Sequence, residues 1–209
     1  MKLISRFYSV FIYMAVVVAS LACQTLTRGV SSDPAIPSSN PAQNGNGQLS
    51  MDWLVTTDEL NSFSTDIGLL DWAILQETPG ENRICRTFQG TSWSATPNEG
   101  LNCIFKVVEG ASLKSITDSM FNDGQLFAGS QPVNTNLKLD GEYVLYAGDH
   151  PNGHAVFDLI LVRGNLMYWS SVTLGVLVGE TPQTIYQSTS QALDAFLLNV
   201  ININLSKIN

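Results

Sequence analysis

Charge is scarce in this chain, and positive charge scarcest. Asp, Glu, Lys and Arg make up 13% of its 209 residues, with 10 basic residues against 18 acidic ones. No run of Lys or Arg occurs anywhere. Clustered cations are what neutralise phosphates on nucleic acid, so nucleic acid is excluded as a partner. The net charge of −8 also opposes docking onto anionic lipid by charge alone. Histidine occurs twice and cysteine three times, which leaves few places for metal or acid–base chemistry. No serine sits in a Gly-x-Ser-x-Gly turn. Gly141 and Gly148 stand alone and open no helix, so no glycine loop cradles a phosphate. The acid pairs Asp58/Glu59 and Asp140/Glu142 read as helix-start charge and as a turn, rather than as carboxylates facing a cleft. No cofactor is implied, and the chain is not read as an enzyme.

What is present starts at the N-terminus. Met1 to Arg6 carries Lys2 and Arg6 and no acid, and Phe7 to Leu21 is almost wholly apolar. That is the order of a secretory signal. The segment Ala19-Ser20-Leu21-Ala22-Cys23 resembles the lipobox of a bacterial lipoprotein signal peptide. The small Ala22 precedes the cysteine, and Ser20 stands where that pattern more often has Leu. The resemblance implies that residues 1–22 are removed and that Cys23 carries a diacylglycerol on its sulfur. Two acyl chains anchor firmly where one binds marginally, so the protein is expected on the extracytoplasmic face of the cell membrane, held by lipid. Two alternatives stay open. One is an uncleaved anchor, although spanning needs about 20 apolar residues and this run is shorter. The other is a plain secretory signal with an incidental Cys23.

Residues 23–50 form the lipidated cysteine and a tether. Gln24 to Ser50 is rich in Ser, Pro, Asn, Gln and Gly and has almost no large apolar residue. Such a segment buries too little to offset its ordering entropy, so it is expected to be disordered. As a flexible coil it reaches about 30 Å. Residues 51–209 remain as one globular domain of ordinary size. Within it Cys85 and Cys103 form an even pair in an exported chain, which points to a disulfide. Both lie in strand-like segments, RICRTF and LNCIFKVV, so the bridge would staple neighbouring strands. Closing so short a loop is worth about 3 kcal/mol of chain entropy. Two free thiols in a core are the alternative.

Thr56 to Glu59 opens a short helix, with Thr as cap and acids in the first turn. Strands are expected at 71–75, 83–89 and 101–109, the last two separated by a polar loop holding Pro97, Asn98 and Gly100. Ser112 caps a helix over 113–121 with Leu113, Ile116 and Met120 on one face. Strands follow at 142–147, 153–162 and 166–173, the last two joined by Gly164-Asn165 in a tight hairpin. Thr181-Pro182 starts a long helix reaching about Leu205. On the hairpin, Phe157, Leu159 and Leu161 alternate with Val156, Ile160 and Val162, so both faces of the sheet are apolar and both need covering. The expected fold is therefore α+β: an antiparallel β-sheet covered by helices, an α/β/α sandwich with a long C-terminal helix. The run VLYAGDHPNGHAVFDLILVRGNLMYWSSV followed by ALDAFLLNVININL resembles the PsbP-like sandwich domains, many of them small bacterial lipoproteins. The resemblance implies a fold and an accessory or binding role, and transfers no functional residue.

Both histidines fall in Asp149-His150-Pro151-Asn152-Gly153-His154. Asp, His and His so close together fit a metal site or an acid–base group. They equally fit a polar turn, because Pro-Asn-Gly is strong turn chemistry, with two exposed imidazoles. Trp93 stands in the polar stretch Gln89-Gly90-Thr91-Ser92-Trp93-Ser94, where no periodicity buries it, so it is either a binding anchor or a ring folded back over the core. Trp93, His150 and His154 are the candidate contacts for a ligand or partner. The favoured function is a membrane-anchored, non-catalytic binding or accessory module for an envelope protein or small ligand. The alternative is an envelope hydrolase or metal-binding protein using the Asp149–His154 loop.

Overall fold

The structure is a computed structural model that describes residues 48–91, 97–176 and 178–208. Cys23 and Trp93 lie outside those residues. Leu49, which composition assigns to the tether, is buried among the core residues, and Ser50 caps a short 3-10 turn, Met51–Trp53. The packed domain therefore begins two residues before its expected start, because one leucine with a pocket to fill outweighs polar neighbours.

Helix α1, Thr57–Phe63, starts with a capping box in which the Thr56 hydroxyl accepts from the Glu59 amide and the Glu59 carboxylate accepts from the Thr56 amide. The sheet follows: β1 (Leu70–Thr78), β2 (Arg83–Thr91) and β3 (Asn98–Lys106) form a meander. Helix α2, Leu113–Asn122, is capped by Ser112 and leads to a second meander of β4 (Gln131–Pro132), β5 (Glu142–Asp149), β6 (His154–Arg163) and β7 (Leu166–Gly175). Strand β7 returns to pair with β3, giving one antiparallel seven-stranded sheet in the order β1-β2-β3-β7-β6-β5-β4. Helix α3, Pro182–Ile208, closes the chain.

Alternation along the hairpin sorts the core as the sequence implies. Phe157, Leu159, Leu161, Tyr168 and Val172 pack with Leu193, Phe196, Leu197 and Ile201 of α3. Ile160, Val162, Met167 and Trp169 face the other way, onto Met120 of α2 and Leu126 beyond it. The sheet is thus covered by helices on both faces. Helix α1 joins the α3 side, where the Lys207 ammonium donates to the Leu54 carbonyl at 2.9 Å and to the Glu59 carboxylate at 2.7 Å. Among the described residues, no helix is long and apolar enough to cross a membrane.

Cys85 and Cys103 are joined in a disulfide across directly paired positions of β2 and β3, with Cα atoms 4.2 Å apart. The expected staple between neighbouring strands is therefore present. One expectation is corrected: Asn98 and Gly100 belong to β3 rather than to a polar loop. Asn98 is fully buried and is paired with Gly90 of β2 in the ladder. Gly100 is a strand residue because Trp72 leaves no room for more; a Cβ there would lie 3.1 Å from its ring. The two glycines Gly90 and Gly100 form a platform under that indole.

Candidate functional site

Helix α2 covers only part of its face of the sheet. Beside it lies an open pocket of about 310 Å³, near the lower end of the range for small-molecule sites. Its floor is Val156 and Asp158 of β6 with Trp169, Ser171 and Thr173 of β7. Glu99 and Leu101 of β3 and Thr87 of β2 form one wall, and Leu75 and Gln76 of β1 extend it. Phe127, after α2, and His150, in the turn before β6, close the opposite side.

Asp158 is the central group. It is almost the only charged residue in an apolar strand and is 2% exposed. The indole N–H of Trp169 donates to its Oδ1 at 2.9 Å. The Ser171 hydroxyl, on the position paired with it across the ladder, also hydrogen-bonds the carboxyl. Burial pushes its pKa up to about 6, while the Ser171 and Trp169 hydrogen bonds and the field of His150 pull it down. Burial wins because two neutral donors replace only part of the water that an ionised carboxylate loses. Glu99 is exposed at the rim, and its amide donates to the Thr173 hydroxyl at 2.7 Å.

The two histidines are placed differently from one another. The turn expected from Pro151-Asn152-Gly153 is formed. Gly153 has a left-handed φ of 83°, and its amide donates to the His150 carbonyl at 2.9 Å. His150 is half-buried. Its Nδ1 accepts from the Asn152 amide at 3.3 Å, which places the proton of the neutral ring on Nε2. Its ring stands edge-on to Phe127 with centroids 4.9 Å apart. His154 is not an exposed imidazole. It is the first residue of β6, paired with Gly175, and strand pairing carries its side chain into the sheet, where it is 5% exposed. Its buried Nδ1 has no hydrogen-bond partner among the described residues. Burial and the neighbouring His150 lower its pKa, and Glu99 acts against them.

Of the sequence-derived candidates, only His150 lines the pocket. His154 is not among the lining residues, although it stands two positions before Val156 on the same face of β6, and Trp93 is outside the described residues. Among the described residues, no group of three or more His, Cys, Asp or Glu side chains is arranged to hold a metal ion. Asp158, Ser171, Glu99 and Phe127 were not singled out from the sequence. A signal for Asp158 existed: it is the lone acid in Ala155-Val156-Phe157-Asp158-Leu159-Ile160-Leu161, where an ionised group needs a reason to be buried. No family model matches the chain, and no curated protein matches it.

Proposed function

We propose that this protein is a lipid-anchored, extracytoplasmic binding module whose ligand is a small molecule seated in the pocket over Asp158. The observation that carries the reading is a buried carboxyl at the floor of an open pocket that also holds Trp169, Phe127 and Leu75. A concave, mainly apolar site with a few converging polar groups is the usual form of a ligand site. A titratable group displaced by burial inside such a cleft is a mark of a working site.

Binding rather than turnover is favoured by what the polar groups already do. Asp158 is held by Trp169 and Ser171, the Thr173 hydroxyl by the Glu99 amide, and His150 Nδ1 by the Asn152 amide. These bonds orient the groups, and among the described residues no serine is paired with the imidazole that would have to activate it. The leader and the Cys23 motif support an anchor at the cell membrane, and the polar composition from Gln24 to Gln48 supports a spacer that lets the domain reach its ligand or an envelope partner. A PsbP-like accessory role is consistent with a sheet of this kind ending in one long helix.

The test is to purify the full chain from its native membranes, denature it, and identify by mass spectrometry any small molecule released. Ser171→Trp, which fills the pocket, is treated in parallel. A compound released from the native chain and missing from Ser171→Trp is the expected result. Equal release from both, or none from either, removes the pocket from the reading.

A further inference from the structure

We infer that the pocket selects a small organic cation, with an ammonium or amidinium head on the Asp158 carboxyl and an apolar body against Phe127, Leu75 and Leu101. This rests on the pocket reading above and names its ligand class.

The lining sets the sign of the charge. It holds two carboxyl groups, Asp158 and Glu99, and among the described lining residues none is Lys or Arg. An anionic ligand would be buried against two like charges, and His150 at the side is the one basic side chain among the described lining residues. A cation meets a carboxyl that has spare capacity. An ionised carboxylate offers about four acceptor positions, and Trp169 and Ser171 occupy two partners' worth of them. Hydrogen bonds between ionised partners are shorter and stronger than neutral ones. They are stronger again where the carboxyl is removed from water, as Asp158 is. Trp169 and Phe127 also line the pocket, and aromatic rings attract positive charge. A bare metal ion is a poorer fit, because it needs several hard ligands converging on one point, and no such group is arranged among the described residues. The apolar share of the lining, Leu75, Leu101, Val156 and Phe127, calls for a ligand body that is itself apolar.

The experiment titrates the full chain with benzylammonium, benzyl alcohol and benzoate, three probes of similar shape and different charge. The readout is the indole N–H resonance of Trp169, which donates to Asp158 and is identified by its loss in Trp169→Phe. Benzylammonium is expected to shift it and to bind about tenfold or more tightly than benzyl alcohol, with benzoate weakest. Asp158→Asn keeps an acceptor for the indole but removes the charge, and should bring the ammonium and the alcohol to equal affinity. Glu99→Gln, at the exposed rim, covers the case in which Asp158→Asn fails to fold; it should weaken benzylammonium and leave benzyl alcohol unchanged. Benzoate binding as tightly as benzylammonium, or benzylammonium indifferent to both substitutions, overturns the cation inference and leaves the pocket standing. A resonance that none of the three probes moves also overturns it, and the co-purification experiment then decides the pocket separately.

Discussion

The Trp169 indole N–H and the Asp158 carboxyl meet at 2.9 Å on the sheet face that α2 leaves partly open. The two residues sit on neighbouring strands, two positions out of register, since Asp158 pairs with Ser171 and Trp169 with Ile160. The bond ties a charge that burial would expel to a ring that closes the local core. It also gives that charge a spectroscopic reporter.

Asp158 should make stability depend on pH in an unusual direction. Its folded-state pKa of about 6 lies above the ordinary 3.8, so the folded protein holds this proton more tightly than the unfolded chain. The contribution is fully present below the ordinary value and is lost as pH rises through about 6, a loss of about 3 kcal/mol. His154 acts in the opposite sense, because burial lowers its pKa and acid must charge a buried ring. The measurement is therefore a difference. Denaturant unfolding of the native chain and of Asp158→Asn across this window should show the Asp158 dependence vanish in the variant. Parallel curves for the two would refute it.

Gly90→Ala should cost about 1–3 kcal/mol. A Cβ at Gly90 would lie 2.9 Å from the Trp72 ring, and Trp72 is itself held by Phe196 and Phe88. The ring cannot retreat without opening the contact between the sheet and α3. Thermal unfolding checks this, and an unchanged midpoint would mean that the indole has room to move.

Replacing both Cys85 and Cys103 by Ala should destabilise the domain by about 2–4 kcal/mol. The bridge joins a directly paired position in the ladder, so the strands remain in register without it and the loss falls mainly on the unfolded chain. Far-ultraviolet circular dichroism should stay native while the unfolding midpoint drops. Loss of the sheet signal itself would show that the bridge is needed to form the β2–β3 pair.

The native chain should incorporate labelled fatty acid, and Cys23→Ala should incorporate none, because the Cys23 sulfur is the proposed point of attachment. A native chain that takes up no label yet stays in the membrane pellet after high-salt washing would instead speak for the uncleaved apolar anchor.

Elements governed by local or periodic rules were legible in the residues. The Thr56, Ser112 and Thr181 starts, the Gly164-Asn165 hairpin and the two apolar faces of β6 and β7 all follow from neighbours a few positions apart. The cysteine pair was legible too, because Cys85 and Cys103 both stand in strand-like segments, where a bridge can staple neighbours. The pocket was not legible. Glu99, Asp158 and His150 come from a strand end, a strand centre and a turn, and Phe127 from the connection after α2. Their meeting depends on β7 returning to β3 and on α2 being too short to cover its face, and neither is written in any local pattern. The burial of Asp158 and of His154 was decided at the same level. Alternation chooses which side of a strand a residue faces, but only the packed neighbours decide whether that side is wet.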